Sequence, residues 1–246
     1  MEICIDSLES ARNAIDGGAM RLEACSALSE GGLTPTPGLI KRIKSYSSTP
    51  IYAMIRIRSG CFVYSEEEME AMLHDLKILK DHGVNGFVFG ALTADNEIDV
   101  KSCKEILIAA NPLPVTFHRA FDLVNDPLES LEIIIDLGFE RILTSGQRNT
   151  AEEGLELIKM LVSKSENRII IMPGSGITKD NILKIKSFSG AKEFHASAKK
   201  RKENGGTNKV KMGVNDGFMM VADSQLVKEM AISIGLFMIA ESVKGY

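Results

Sequence analysis

The chain reads as a single (β/α)8 barrel spanning residues 1–246. Three observations predict it: eight short apolar runs, a helical pattern after nearly every one, and no dinucleotide-type GxGxxG after the first. Short runs without clean polar alternation are what strands buried on both faces look like. The strand–helix–strand order implies parallel pairing through right-handed crossovers. A barrel of this kind takes about 250 residues, and the chain has 246. The competitor is a doubly wound open sheet, which would more often carry the glycine motif.

Each element follows from local signals. Glu2–Asp6 is the first strand, and Ser7–Asp16 a short amphipathic helix closed by Gly17-Gly18. Met20–Ala24 is the second strand. The loop after it, from Cys25 to Pro35, is long and glycine-rich, the kind of strand-to-helix loop in which function usually lies. Thr36-Pro37 opens a helix carrying Leu39, Ile40 and Ile43. Ile51–Ile57 is the third strand and Arg58–Tyr64 a loop. Ser65 and Glu68 form a capping box for a helix with Met69, Met72, Leu73, Leu76 and Leu79 at helical spacing.

Gly86–Phe89 is the fourth strand, with Asp99–Ala110 as its helix. Pro114–Phe117 is the fifth, and it delivers His118 and Arg119 straight into a turn. Asp126-Pro127-Leu128-Glu129 then starts a helix, with Asp126 as cap, Pro127 in the first position and Glu129 where a capping-box acid belongs. Arg141–Thr144 is the sixth strand, followed by Thr150 and Glu153 as another capping box. Arg168–Met172 is the seventh, ending in Pro173-Gly174-Ser175-Gly176, with Thr178 as the next cap. Glu193–Ala196 is the eighth. Residues 198–222 are polar, lysine- and glycine-rich, and predict an irregular loop. Asp223–Ala240 predicts a closing helix with Leu226, Val227, Met230 and Ile234 on one stripe.

The balance of charges, −4 at neutral pH, gives no reason to expect nucleic acid or an anionic membrane as a partner. No apolar run approaches the ~20 residues of a membrane span. Cys4, Cys25, Cys61 and Cys103 form no CxxC pair. With a strand rather than a signal peptide at the start, they read as reduced thiols of a cytoplasmic protein. Cys103 shares an apolar helix stripe with Ile106 and Leu107 and belongs to the core.

Active sites of such barrels lie at the C-terminal strand ends. There the chain offers Cys4 and Asp6, Glu23 and Cys25, Arg56 and Arg58, Gly90, His118 and Arg119, Thr144 and Ser145, Gly174 and Gly176, and His195 and Ser197. Three chemistries compete for them. One is an anion site, with Gly174, Gly176 and Ser197 as a phosphate cradle and Arg56, Arg58 and Arg119 neutralising the charge; the same glycines also serve tight turns. Another is acid–base work by Glu23 and His118 on a small phosphorylated or carboxylated metabolite, tuned by Arg56 or Arg58; a buried Glu–Arg pair can equally just hold the barrel end together. The last is a soft metal. Cys4 and Cys25 fall at matching positions of adjacent strands, which run ~5 Å apart. Cu(I) suits sulfur ligands at low coordination number, although free cysteines are also common core residues.

The stretches EICIDS (2–7), RLEACSALSEGGLTP (21–35), GFVFGALT (86–93), PVTFHRAFD (114–122), LTSG (143–146) and EFHASA (193–198) resemble the CutC copper homeostasis family, most closely its animal members. The resemblance implies a TIM barrel, a cytoplasmic location, homo-oligomerisation, a role in copper handling, and Cu(I) bound by Cys4 and Cys25. It implies a copper role more firmly than any reaction. The chain departs from the family pattern after the third strand. Arg-Pro-Arg-Gly-Gly-Asp-Phe is replaced by Arg56-Ile57-Arg58-Ser59-Gly60-Cys61-Phe62, so that Cys61 stands in place of an acid, where a copper site could use a third thiolate.

Overall fold

A computed structural model describes residues 1–203 and 217–235. Eight strands run parallel in one sheet: β1 (Glu2–Ile5), β2 (Arg21–Ala24), β3 (Ile51–Met54), β4 (Gly86–Phe89), β5 (Val115–Phe117), β6 (Arg141–Thr144), β7 (Ile170–Pro173) and β8 (His195–Ala196). Every strand pairs with its sequence neighbour from β1 to β7, and β8 returns to pair with β1. The result is a nearly closed TIM barrel, as the sequence predicts.

The helices between them are α1 (Leu8–Asp16), α2 (Pro37–Lys44), α3 (Glu66–Asp81), α4 (Val100–Ala110), α5 (Pro127–Leu137), α6 (Leu155–Ser165) and α7 (Ile182–Ser189). Ser7, Thr36, Asp99 and Asp126 cap their helices by accepting backbone N–H bonds, and Ser65 with Glu68 forms the full capping box of α3. Two expected caps fall elsewhere. Thr150 accepts from the Glu153 N–H, but α6 begins only at Leu155. The Thr178 N–H donates to Asn181 Oδ1, and α7 begins beyond it at Ile182. In both places the chain makes an extra turn before its apolar stripe starts.

The third strand stops at Met54 rather than Ile57. Past that point the Arg56 N–H and C=O bond to Thr34 instead of to β4, which ties the β3 loop to the β2 loop. The irregular loop expected over 198–222 is also corrected. Its two ends pair as an antiparallel ribbon, β9 (Lys199–Glu203) with β10 (Phe218–Ala222), packed over α1, where Ala222 bonds Ser10 and Asn13. The closing helix α8 (Ser224–Ser233) is capped by Asp223 and buries Val227 and Met230. The rest of the expected helix, 236–240, lies outside the described residues.

The outer core is the apolar sheath between strands and helices. Inside the barrel the lowest layer is charged. Arg21 bonds Glu2 and Glu193, Arg141 bonds Glu140 and Glu193, and the two guanidiniums lie 4.9 and 5.0 Å from the Tyr52 ring centroid. Delocalised cations stacked on an aromatic ring tolerate such burial. This floor sets the level on which the site rests.

Candidate functional site

Residues two apart on a strand share a face, so Glu2 and Cys4 both point into the barrel, Cys4 one layer higher. The β1–β2 register sets Cys4 opposite Glu23, and the β1–β8 register sets Glu2 opposite His195. These pairings bring together one ligand atom each from Cys4, Glu23 and His195, all within 4.8 Å of one another. His195 holds the group in place. Its Nδ1 lies 2.7 Å from Glu2 Oε1, and its Nε2 lies 3.7 Å from Glu23 Oε2.

Cys25 joins this group from one layer further up β2. Its thiol donates to Glu23 Oε2 at 3.6 Å, and its other neighbours are Tyr52, Met54 and Val88. Cys25 is 0% exposed, whereas Cys4 is 9% exposed and lines the cavity above. Gly32, with φ of +87°, folds over Cys25: a Cβ there would lie 3.0 Å from its sulfur.

The charges are set by burial and by partners. Burial opposes ionisation of Glu2, but His195 and Arg21 outweigh it and hold the carboxyl down at about 2. Burial likewise opposes the His195 cation, yet Glu23, Cys4 and Glu2 raise it well above its ordinary value. For Glu23 burial dominates and pushes the carboxyl up despite His195. Burial, reinforced by Glu23 and Cys4, pushes the Cys25 thiol well up.

The cavity over this group has a volume of about 860 Å³, within the usual range for small-molecule sites. Its opposite wall carries Arg56, Phe62 and His118. His118 leaves β5 with Nδ1 accepting the Ala120 N–H at 3.2 Å, and its ring packs 4.7 Å from that of Phe62. Burial, with Arg56 close by, drives it down to about 3, so the imidazole stays neutral. That suits a hydrogen-bond donor better than a proton carrier.

The expected anion set is divided. Arg56, Arg119, Gly176 and Ser197 line the cavity. Arg119 is tied to Asp122 and Ser145 at its rim. Gly174 is packed against Leu143, where a Cβ would come within 2.5 Å, and is not among the lining residues. Arg58 does not point with Arg56, because the strand has already ended. It turns outward to Glu68 and to the Cys61 and Val63 carbonyls. Cys61 lies exposed beside it, away from the cavity.

Three contributors were not singled out by sequence reasoning. His195 stood among the strand ends without a role, and Glu2 lay at the wrong strand end to attract notice. Asp122 gathers Thr144, Ser145, Gln147 and Arg119 around one carboxylate and so fixes the β6 loop. The parity of Glu2, Cys4 and His195 on their strands was the available signal for the first two.

The sequence profile of the CutC family matches residues 1–200. This chain belongs to the CutC family. The human protein named "Copper homeostasis protein cutC homolog" is 51% identical over 205 residues, covering 83% of this chain and 75% of that one. A CutC crystal structure from Streptococcus agalactiae has a TM-score of 0.76 at 34% identity and covers 80% of this chain and 97% of its own. The phosphoribosylanthranilate isomerase of Pyrococcus furiosus, at 14% identity and a TM-score of 0.56, covers 95% of this chain and 96% of its own and shares the barrel alone. No described helix of this CutC chain is long and apolar enough to cross a membrane.

Proposed function

We propose that this CutC chain binds Cu(I) at the floor of the barrel mouth, through Cys4 and Cys25, and serves copper homeostasis as a binder, buffer or carrier. The observation that carries the reading is the packing of Cys4, Glu23 and His195 within 4.8 Å, with the Cys25 thiol hydrogen-bonded to Glu23. Two thiolate sulfurs suit a soft cation such as Cu(I), and the His195 cation beside them offsets their charge. Glu23 is a harder donor, and its part is to take the proton that Cys25 must lose before it can bind metal. Cys4, at the cavity wall, meets the ion first, and Cys25 closes on it from one layer higher on β2.

The name of the human relative supports copper as the cargo. The four cysteines are all free, as a cytoplasmic copper protein working with Cu(I) requires. Homo-oligomerisation belongs to the same reading, and sedimentation velocity tests it. The direct experiment is anaerobic Cu(I) competition against a chromogenic chelator. One equivalent per chain is expected, lost in Cys4→Ser and in Cys25→Ser. Binding indifferent to both serines would refute the site.

A further inference from the structure

The wall facing the copper group carries two buried donors without acceptors. Among the described residues, His118 Nε2 and Arg56 Nε have no hydrogen-bond partner, although the two residues are only 4% and 5% exposed. Both side chains pack on one ring: the Arg56 guanidinium lies 4.9 Å from the Phe62 centroid, and the His118 ring 4.7 Å from it. All three line the same cavity. Because His118 Nδ1 accepts the Ala120 N–H, its proton sits on Nε2, and that nitrogen is a donor. Gly90 permits this ring position, since a Cβ there would fall 2.5 Å from Nδ1. A buried N–H with no acceptor is unfavourable, and a fold that places two at one cavity is shaped for an acceptor that arrives.

We propose that the barrel mouth binds a small organic molecule through a carbonyl or carboxylate oxygen, held by the His118 Nε2–H and the Arg56 Nε–H. The rest of the Arg56 fork is already used. One terminal nitrogen donates to the Glu30 and Gly32 carbonyls, the other to the Gly60 carbonyl. With its bidentate face spent, Arg56 has a single N–H to offer, which does not match the several oxygens of a phosphate. One planar oxygen with two lone pairs matches one N–H from each residue. A neutral imidazole donor also polarises a carbonyl without giving up its proton.

The test uses metal-free full-length protein and four probes: pyruvate, acetate, acetone and inorganic phosphate. The readout is the His118 Nε2–H resonance in nitrogen-15 NMR. Pyruvate is expected to shift it downfield, acetate and acetone reporting which of its two groups is held, and phosphate to leave it in place. His118→Phe and Arg56→Lys should each weaken pyruvate binding about tenfold or more, and His118→Gln, which keeps an N–H, should recover part of the loss. Cu(I) stoichiometry should not change in His118→Phe, which separates this site from the copper site. A resonance that no probe moves, one that only phosphate moves, or equal pyruvate affinity in wild type and His118→Phe would overturn the proposal. Should the phenylalanine variant not fold, the NMR titration of wild type and the Arg56→Lys comparison decide the matter.

Discussion

His195 Nδ1 lies 2.7 Å from Glu2 Oε1, and this contact joins the charged floor of the barrel to the Cys4–Glu23–His195 group above it. A carboxylate on one ring nitrogen fixes how the other nitrogen is presented, as it does for the histidines of many metal sites. Glu2 is buried, and Arg21 holds its other oxygen. Glu2→Gln would leave Arg21 and His195 facing a neutral group. A loss of about 3–5 kcal/mol is expected, as for other broken buried pairs, together with weaker Cu(I) binding. Urea unfolding measures the first effect and chelator competition the second.

The low value of His118 makes stability depend on acidity. The unfolded chain takes up this proton near the ordinary histidine value of 6.5, while the folded chain refuses it until about 3. The unfolded state therefore binds more protons in between, and stability falls as pH drops through that window, by about 1.4 kcal/mol per pH unit for this one group. Above 6.5 its contribution is constant. Urea midpoints measured from pH 7 to pH 4 should fall more steeply in wild type than in His118→Gln. Parallel curves would show that His118 is not the group responsible.

The four thiols should differ in reactivity. Cys61 is exposed, and the Val63 backbone and Arg58 beside it lower its thiol. Cys25 and Cys103 are raised by burial, Cys103 to about 12. Thiolate is the reactive form, so iodoacetamide should label Cys61 first and Cys25 and Cys103 only on unfolding. Peptide mass spectrometry reads the order. Cys61→Ser should bind Cu(I) at the wild-type stoichiometry, since Cys61 lies away from the group that includes Cys4.

Gly86 is required by packing. A Cβ on it would meet the Tyr52 ring at 2.6 Å, and that ring is held between Arg21 and Arg141. Gly86→Ala should cost about 1–3 kcal/mol through overpacking, visible as a lower melting temperature.

The barrel was legible because its signals are local: short buried runs, helix starts at Thr36, Ser65 and Asp126, and helical apolar spacing. The β9–β10 ribbon was not, because its strands are lysine-rich or lie past a polar segment, and what holds them is mutual pairing and contact with α1. At the site, Cys4, Glu23, Cys25, Arg56 and His118 could be picked out as polar residues at strand ends. Their grouping could not. Whether Cys4 stands level with Cys25 or with Glu23 depends on strand register, which the chain expresses only once the barrel closes and β8 pairs with β1. Nothing in the sequence separates Arg58 from Arg56, because the strand's end at Met54 is set by the Arg56–Thr34 bonds that only the fold makes.

On the proposed function, copper sits on sulfur from both Cys4 and Cys25. Copper K-edge X-ray absorption on the anaerobically loaded protein tests it most directly, with Cys4→Ser and Cys25→Ser measured beside wild type. A Cu(I) edge with two sulfur neighbours in wild type and one in each variant is expected. A shell of nitrogen and oxygen alone, or a sulfur shell unchanged by either serine, would contradict it.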